Sequence, residues 1–227
     1  MLETPPVKRI IKTFTGPWEK RYLPEIAAAL PKWVTPDHLT VLGILAALVI
    51  ALGYVLTRYS SGWLWLCNLG LFVHWFGDSL DGTLARVRQI ERERYGYFVD
   101  HITDAFSVLV ICLGMGASPL MDLRVALLLA VGYLLLNVYV HIAAYARDLF
   151  ILSYGKIGPT EVRIFIFFAN IVLMFWNPIV GHLFNITLTV MDIAGLVLTA
   201  VFISLFIILG IKDAIKLDRQ DRAKIKE

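Results

Sequence analysis

Residues 77–107 read GDSLDGTLARVRQIERERYGYFVDHITDAFS, and the spacing of their carboxylates decides how the chain folds. Asp78 and Asp81 stand three residues apart; Gly82 and Ala85 follow four and seven residues after Asp78. At the helical period these four positions share one face. Gly96, Asp100, Asp104 and Ser107 share a face in the same way on the next segment. The link between the two is short, so the spacing predicts antiparallel neighbouring helices. Each would turn two aspartates into one space.

Outward from this stretch the chain becomes apolar. Hydrophobic residues make up 58% of its 227 positions and charged residues 17%, against about 45–50% and about 25% in soluble domains. That excess points to an all-α integral membrane protein. Spans are expected at about 38–57, 63–85, 97–117, 123–150, 161–178 and 188–211, each near the ~20 residues a bilayer needs. Six transmembrane helices follow, preceded by an amphipathic or interfacial segment. Thr35-Pro36 starts the first span: threonine caps, and proline suits the first turn. The expected organisation is a cytosolic or interfacial segment over 1–35, with Trp18, Tyr22 and Trp33 at headgroup level, a six-helix transmembrane domain over 36–212, and a basic cytosolic tail over 213–227. The first nine residues lack the apolar core of a secretory signal.

All but two of the 21 lysines and arginines fall in the N-terminal segment, the second-to-third and fourth-to-fifth connections and the tail; Arg58 and Arg124 are the exceptions. By the positive-inside rule both termini and the aspartate cluster face the cytoplasm, and the number of spans is even. Formal net charge is only +3, which gives no reason to expect a nucleic-acid partner. Cys67 and Cys112 lie in apolar runs with no metal-ligand spacing.

Four carboxylates facing one another near a membrane demand compensation by protons or by a cation. Oxygen donors suit a hard ion, Mg²⁺ or Mn²⁺. Two such ions could clamp both sides of a phosphoryl displacement, and the small residues Gly82, Ala85 and Gly96 leave room for a ligand against the helices. The plainer reading has some aspartates capping helices or pairing with Arg86, Arg88, Arg92 or Arg94.

The segment resembles the signature of the CDP-alcohol phosphotransferase family, D-x-x-D-G-x-x-A-R followed by G-x-x-x-D-x-x-x-D. It stands here as Asp78, Asp81, Gly82, Ala85, Arg86, then Gly96, Asp100 and Asp104. Every fixed position matches, with a spacer one residue longer than is common in the family. The resemblance implies a six-helix core, metal binding by Asp78, Asp81, Asp100 and Asp104, and Asp104 as general base. It also implies a CDP pocket lined by Asp78, Gly82, Ala85 and Gly96, and a homodimer. The reaction so implied transfers a phosphorylated alcohol from a CDP-alcohol to an acceptor hydroxyl, with release of CMP, in phospholipid biosynthesis.

A second resemblance concerns the substrate. His101 follows Asp100, and Tyr154-Gly155 leads to Thr160-Glu161. Both are similar to features of the choline/ethanolamine phosphotransferase branch, where a histidine and a glutamate are implicated in activating the acceptor. His101 and Glu161 are the matching pair, and the implied reaction joins CDP-choline or CDP-ethanolamine to diacylglycerol. The alternative is a CDP-diacylglycerol donor with a small polar alcohol such as inositol phosphate or glycerol phosphate. From the residues alone, His101 lies about 100° around its helix from Asp100, and Glu161 sits where an acidic residue favours a helix start. Arg147 and Arg163 either bind phosphate or mark the cytosolic side. His38, His74, His141 and His182 show no ligand spacing. Rivals from other classes are a divalent cation transporter and a metal-dependent lipid phosphatase.

Overall fold

The computed structural model describes residues 13–147, 158–183 and 186–225. The chain order is α1 (Gly16–Ala29), α2 (Pro36–Leu56), α3 (Leu64–Val87), α4 (Glu93–Gly116), α5 (Leu123–Arg147), α6 (Pro159–Phe175), β1 (Ile179–Leu183), β2 (Ile186–Thr189) and α7 (Val190–Ile225). Helices α2 to α7 overlap the six segments expected to be spans. Four of these helices, α2, α4, α5 and α7, are long and apolar enough to cross a membrane. Helix α6 has 17 residues, and α3 carries Asn68, His74, Asp78 and Asp81 along its length. Large apolar side chains such as Leu45, Leu52, Phe72, Phe165, Val197 and Ile208 face outward, a surface suited to lipid.

Helix α2 begins as its sequence requires. The Thr35 hydroxyl accepts from the His38 amide at 3.3 Å, and His38 Nδ1 accepts from the Thr35 amide at 3.2 Å. The two groups thus cap each other and satisfy orphan amides of the first turn. Helix α2 packs on α3 and α4 through small residues. A Cβ at Gly77 would lie 2.6 Å from the Leu39 carbonyl oxygen, and one at Gly114 would lie 2.5 Å from the Ala51 Cα. Only glycine permits this backbone approach, which sets the helix spacing where lipid offers no hydrophobic drive.

A polar chain runs through the apolar core. The Tyr54 hydroxyl donates to Asn170 at 2.8 Å, Asn170 donates to Asn68 at 2.8 Å, and Asn68 reaches the Phe167 carbonyl at 3.4 Å. It ties α2, α6 and α3 at buried positions, with each polar group answered by another. Helix α7 packs on α5, where the Tyr139 hydroxyl donates to Asp213 at 2.6 Å.

Helix α1 lies against α3, with Leu23 and Ala27 buried among Leu39, Leu80 and Leu84. Arg88, at the end of α3, fixes the loop after α1 by donating to the carbonyls of Leu30, Pro31, Lys32 and Val34. Arg92 pairs with Asp37. These arginines therefore do more than mark a membrane side.

Two features differ from the sequence expectation. An antiparallel hairpin, β1–β2, joins α6 to α7. Asn177-Pro178 ends α6, and β-branched residues follow. Helix α7 also runs unbroken to Ile225 through the segment read as a tail. No proline or glycine follows Gly210, and Asp218 and Arg222 pair one turn apart at 2.9 Å. In the first turn of α5, the Arg124 guanidinium grips both oxygens of Asp122 in the preceding loop and holds that carboxyl below the usual carboxylate range.

Candidate metal centre

Of the four aspartates expected in one space, helices α3 and α4 bring three together, and Asp81 is not among them. Asp78, Asp100 and Asp104 each offer a carboxylate oxygen, and these oxygens lie within 4.8 Å of one another. Asp81 stands one turn along α3 and faces the same pocket, which Thr40, Gly43, His74, Asp78, Asp104 and Ser107 also line. Asp81 Oδ2 accepts from the Thr40 hydroxyl at 2.8 Å, and its Oδ1 accepts from the Gly82 amide at 2.5 Å. Thr40 comes from α2, so three helices build the pocket. Thr40 and His74 are pocket residues that the sequence reading did not select. His74 had a usable signal, since it stands one turn before Asp78 on the same face.

The cluster already attracts positive charge. Arg163 of α6 donates to Asp78 Oδ2 at 2.6 Å, with both side chains mostly shielded from solvent. Three carboxylate oxygens from two helices form a hard, all-oxygen donor set that fits a divalent cation. Gly96 borders open space: a Cβ there would meet nothing within 4 Å. At Gly82 the nearest atom would be an Arg86 guanidinium nitrogen at 3.4 Å. Packing therefore does not require glycine at either position.

His101 sits beside the cluster, its Nδ1 3.6 Å from Asp100 Oδ2. That nitrogen is 2.5 Å from the Tyr97 carbonyl oxygen. A carbonyl only accepts, so Nδ1 is the donor of this contact. His101 stacks on Tyr97 at 4.1 Å between ring centroids and meets His141 edge-on at 4.1 Å. Glu161 is engaged elsewhere. It accepts from the Thr15 amide at 2.7 Å, the Thr15 hydroxyl at 3.0 Å and the Gly158 amide at 2.8 Å. Its carboxylate caps α6 and ties the start of α1 to it, and none of these bonds goes to His101. Beside it, Thr160 donates to Glu19 of α1 at 2.5 Å. Tyr154, Gly155 and the Arg147 side chain lie outside the described residues.

Apolar helices around an acidic cluster define a membrane protein with a site suited to a divalent cation. A model of the CDP-alcohol phosphatidyltransferase family matches residues 33–202, and the chain belongs to that family. It is similar to cholinephosphotransferase 1 of Gallus gallus, 27% identical over 197 residues, covering 82% of this chain and 58% of that protein. It is also similar to the phosphatidylinositol phosphate synthase of Cutibacterium acnes, 32% identical over 106 residues, covering 47% of this chain and 49% of that protein. The chain thus spans about half the length of the curated relatives it matches.

Proposed function

We propose that this protein transfers a phosphorylated alcohol from a CDP-alcohol to an acceptor hydroxyl and releases CMP, as a step of phospholipid biosynthesis. The observation that carries the proposal is the meeting of Asp78, Asp100 and Asp104 within 4.8 Å at the family's signature positions. Asp78, Asp81, Asp100 and Asp104 would hold divalent cations, Mg²⁺ or Mn²⁺, as a pair. Bound there, the ions would offset the charge of the diphosphate and of the departing CMP. Asp104 serves as base for the acceptor hydroxyl. The acceptor oxygen bonds to the distal phosphorus, the bond from that phosphorus to the CMP oxygen breaks, and the proton passes to the carboxylate. Asp78, Gly82, Ala85 and Gly96 line the CDP pocket, a role supported by the room beside Gly96.

The favoured donor is CDP-choline or CDP-ethanolamine, with diacylglycerol as acceptor. Two observations support it: the similarity to a cholinephosphotransferase extends over 82% of the chain, and His101 stands beside Asp100, its Nδ1 3.6 Å from Oδ2. Glu161 belongs to the same reading as a partner of His101, but its bonds to Thr15 and Gly158 favour a capping role. A second reading has a CDP-diacylglycerol donor and a small polar alcohol; the similarity to a phosphatidylinositol phosphate synthase supports it. The proposed setting is a homodimer with six spans and with both termini and the site in the cytoplasm. Residues 1–35, 36–212 and 213–227 form the interfacial segment, catalytic domain and tail.

The test is CMP release by the purified protein with Mg²⁺ or Mn²⁺. One arm supplies CDP-choline or CDP-ethanolamine with diacylglycerol; the other supplies CDP-diacylglycerol with polar alcohols. Activity in the first arm supports the favoured reading, and activity in the second alone supports the other. No release above an Asp104→Asn control would sink both and leave the cation transporter to be tested by ion flux.

A further inference from the structure

We propose that Arg163 is the resident counter-cation of the aspartate cluster, holding Asp78 until a divalent ion arrives and yielding that carboxylate when it binds. The inference rests on the metal reading above and adds a competitor for one of its ligands. Asp78 belongs to the three carboxylates within 4.8 Å of one another. Its Oδ2 already receives the Arg163 Nη2 at 2.6 Å, and the two side chains are only 24% and 15% exposed.

Three carboxylates this close repel one another, and a guanidinium among them relieves the repulsion. Arginine keeps its charge at any relevant pH, so it cannot step aside by losing a proton. A divalent ion approaching Asp78 therefore meets both an occupied oxygen and a fixed positive charge a few ångströms away. The same group that offsets the charge of the cluster lowers its affinity for metal.

The helix itself need not shift for this exchange. Two residues before Arg163, Glu161 is bonded to Thr15 and to the Gly158 amide, and Thr160 is bonded to Glu19. These contacts pin the first turn of α6 to α1. Displacement then falls to the Arg163 side chain, which has several rotatable bonds and is anchored at its far end by Asp78.

The experiment measures Mn²⁺ binding to the full-length protein in detergent, without nucleotide, from the free-ion signal in electron paramagnetic resonance. Arg163→Gln is expected to bind Mn²⁺ about tenfold more tightly than wild type, because the competing charge is gone. Arg163→Lys should fall between the two, since an ammonium is a single-point donor that an ion displaces more easily. Without metal, Arg163→Gln should unfold at a lower temperature than wild type, and saturating Mn²⁺ should close the gap. Affinity in Arg163→Gln equal to or weaker than wild type would overturn the inference and leave the metal reading standing. Should that variant not fold, Arg163→Lys decides: affinity no tighter than wild type overturns the inference. Absence of Mn²⁺ binding in wild type and variants alike would remove the metal reading and this inference with it.

Discussion

A buried aspartate and an aspartate cluster can be compared in this molecule. Asp192, at the start of α7, is fully buried, and its oxygens accept from the Asp122 amide at 2.7 Å, the Thr189 amide at 2.8 Å and the Thr189 hydroxyl at 3.0 Å. At the other place, Asp78, Asp100 and Asp104 turn their oxygens toward one another, with Arg163 on Asp78. The first arrangement answers a negative charge with donors from the same fold, which is how a carboxylate caps a helix and staples a loop. The second concentrates negative charge in a pocket lined by polar side chains. A fold keeps such a cluster when something outside the chain completes it. One aspartate therefore holds the structure together; the others, under the proposed function, would hold a ligand.

Substitution at the two places should break in opposite ways. Asp104→Asn is expected to lower CMP release by about 10²–10⁴-fold, the usual worth of a positioned base, while the unfolding temperature in detergent stays level or rises. Asp192→Asn should do the reverse: it would leave CMP release per folded molecule near wild type and cost roughly 2 kcal/mol of stability through donors left unanswered. A loss of activity in Asp192→Asn at full stability would erase the contrast. Thr40→Val keeps the shape of the side chain but removes the donor to Asp81. It is expected to reduce metal affinity or turnover about tenfold, as for other groups that orient a metal ligand, with isothermal titration of Mn²⁺ as the check. The smallest effect belongs to Tyr54→Phe, which opens the buried chain to Asn170. Its expected cost is about 0.6 kcal/mol, read from chemical unfolding, because polar contacts between membrane helices contribute modestly. A larger loss would mean that this chain carries more of the fold than a single hydrogen bond implies.

The comparison also separates what local sequence can reveal from what it cannot. The aspartate faces were legible because helical period fixes which residues share a side, and Asp78, Asp100 and Asp104 meet as that period requires. Helix α2 was legible for a similar reason, since Thr35 and Pro36 carry the start signal in adjacent positions. Arg163 on Asp78 was not, because the contact spans 85 residues of chain and no periodicity encodes it. Nor were the bonds from Thr15 to Glu161, which draw the N-terminal helix onto α6. Hydropathy located the end of the apolar run in α7 but not the end of the helix. The residues beyond 212 are polar yet strong helix formers, so the backbone continues where the lipid signal stops.

That continuation makes α7 a rod. Its 36 residues at about 1.5 Å each give a length near 54 Å, against roughly 30 Å of bilayer hydrocarbon. If it spans, about 20 Å of stiff helix stands clear of the oily layer. The rod is coupled to the bundle through α5, where Tyr139 grips Asp213. A bulky group joined beyond Ile225 would act as a mast on a hull, and the torque it applied would be delivered to α5, the helix that places His141 against His101.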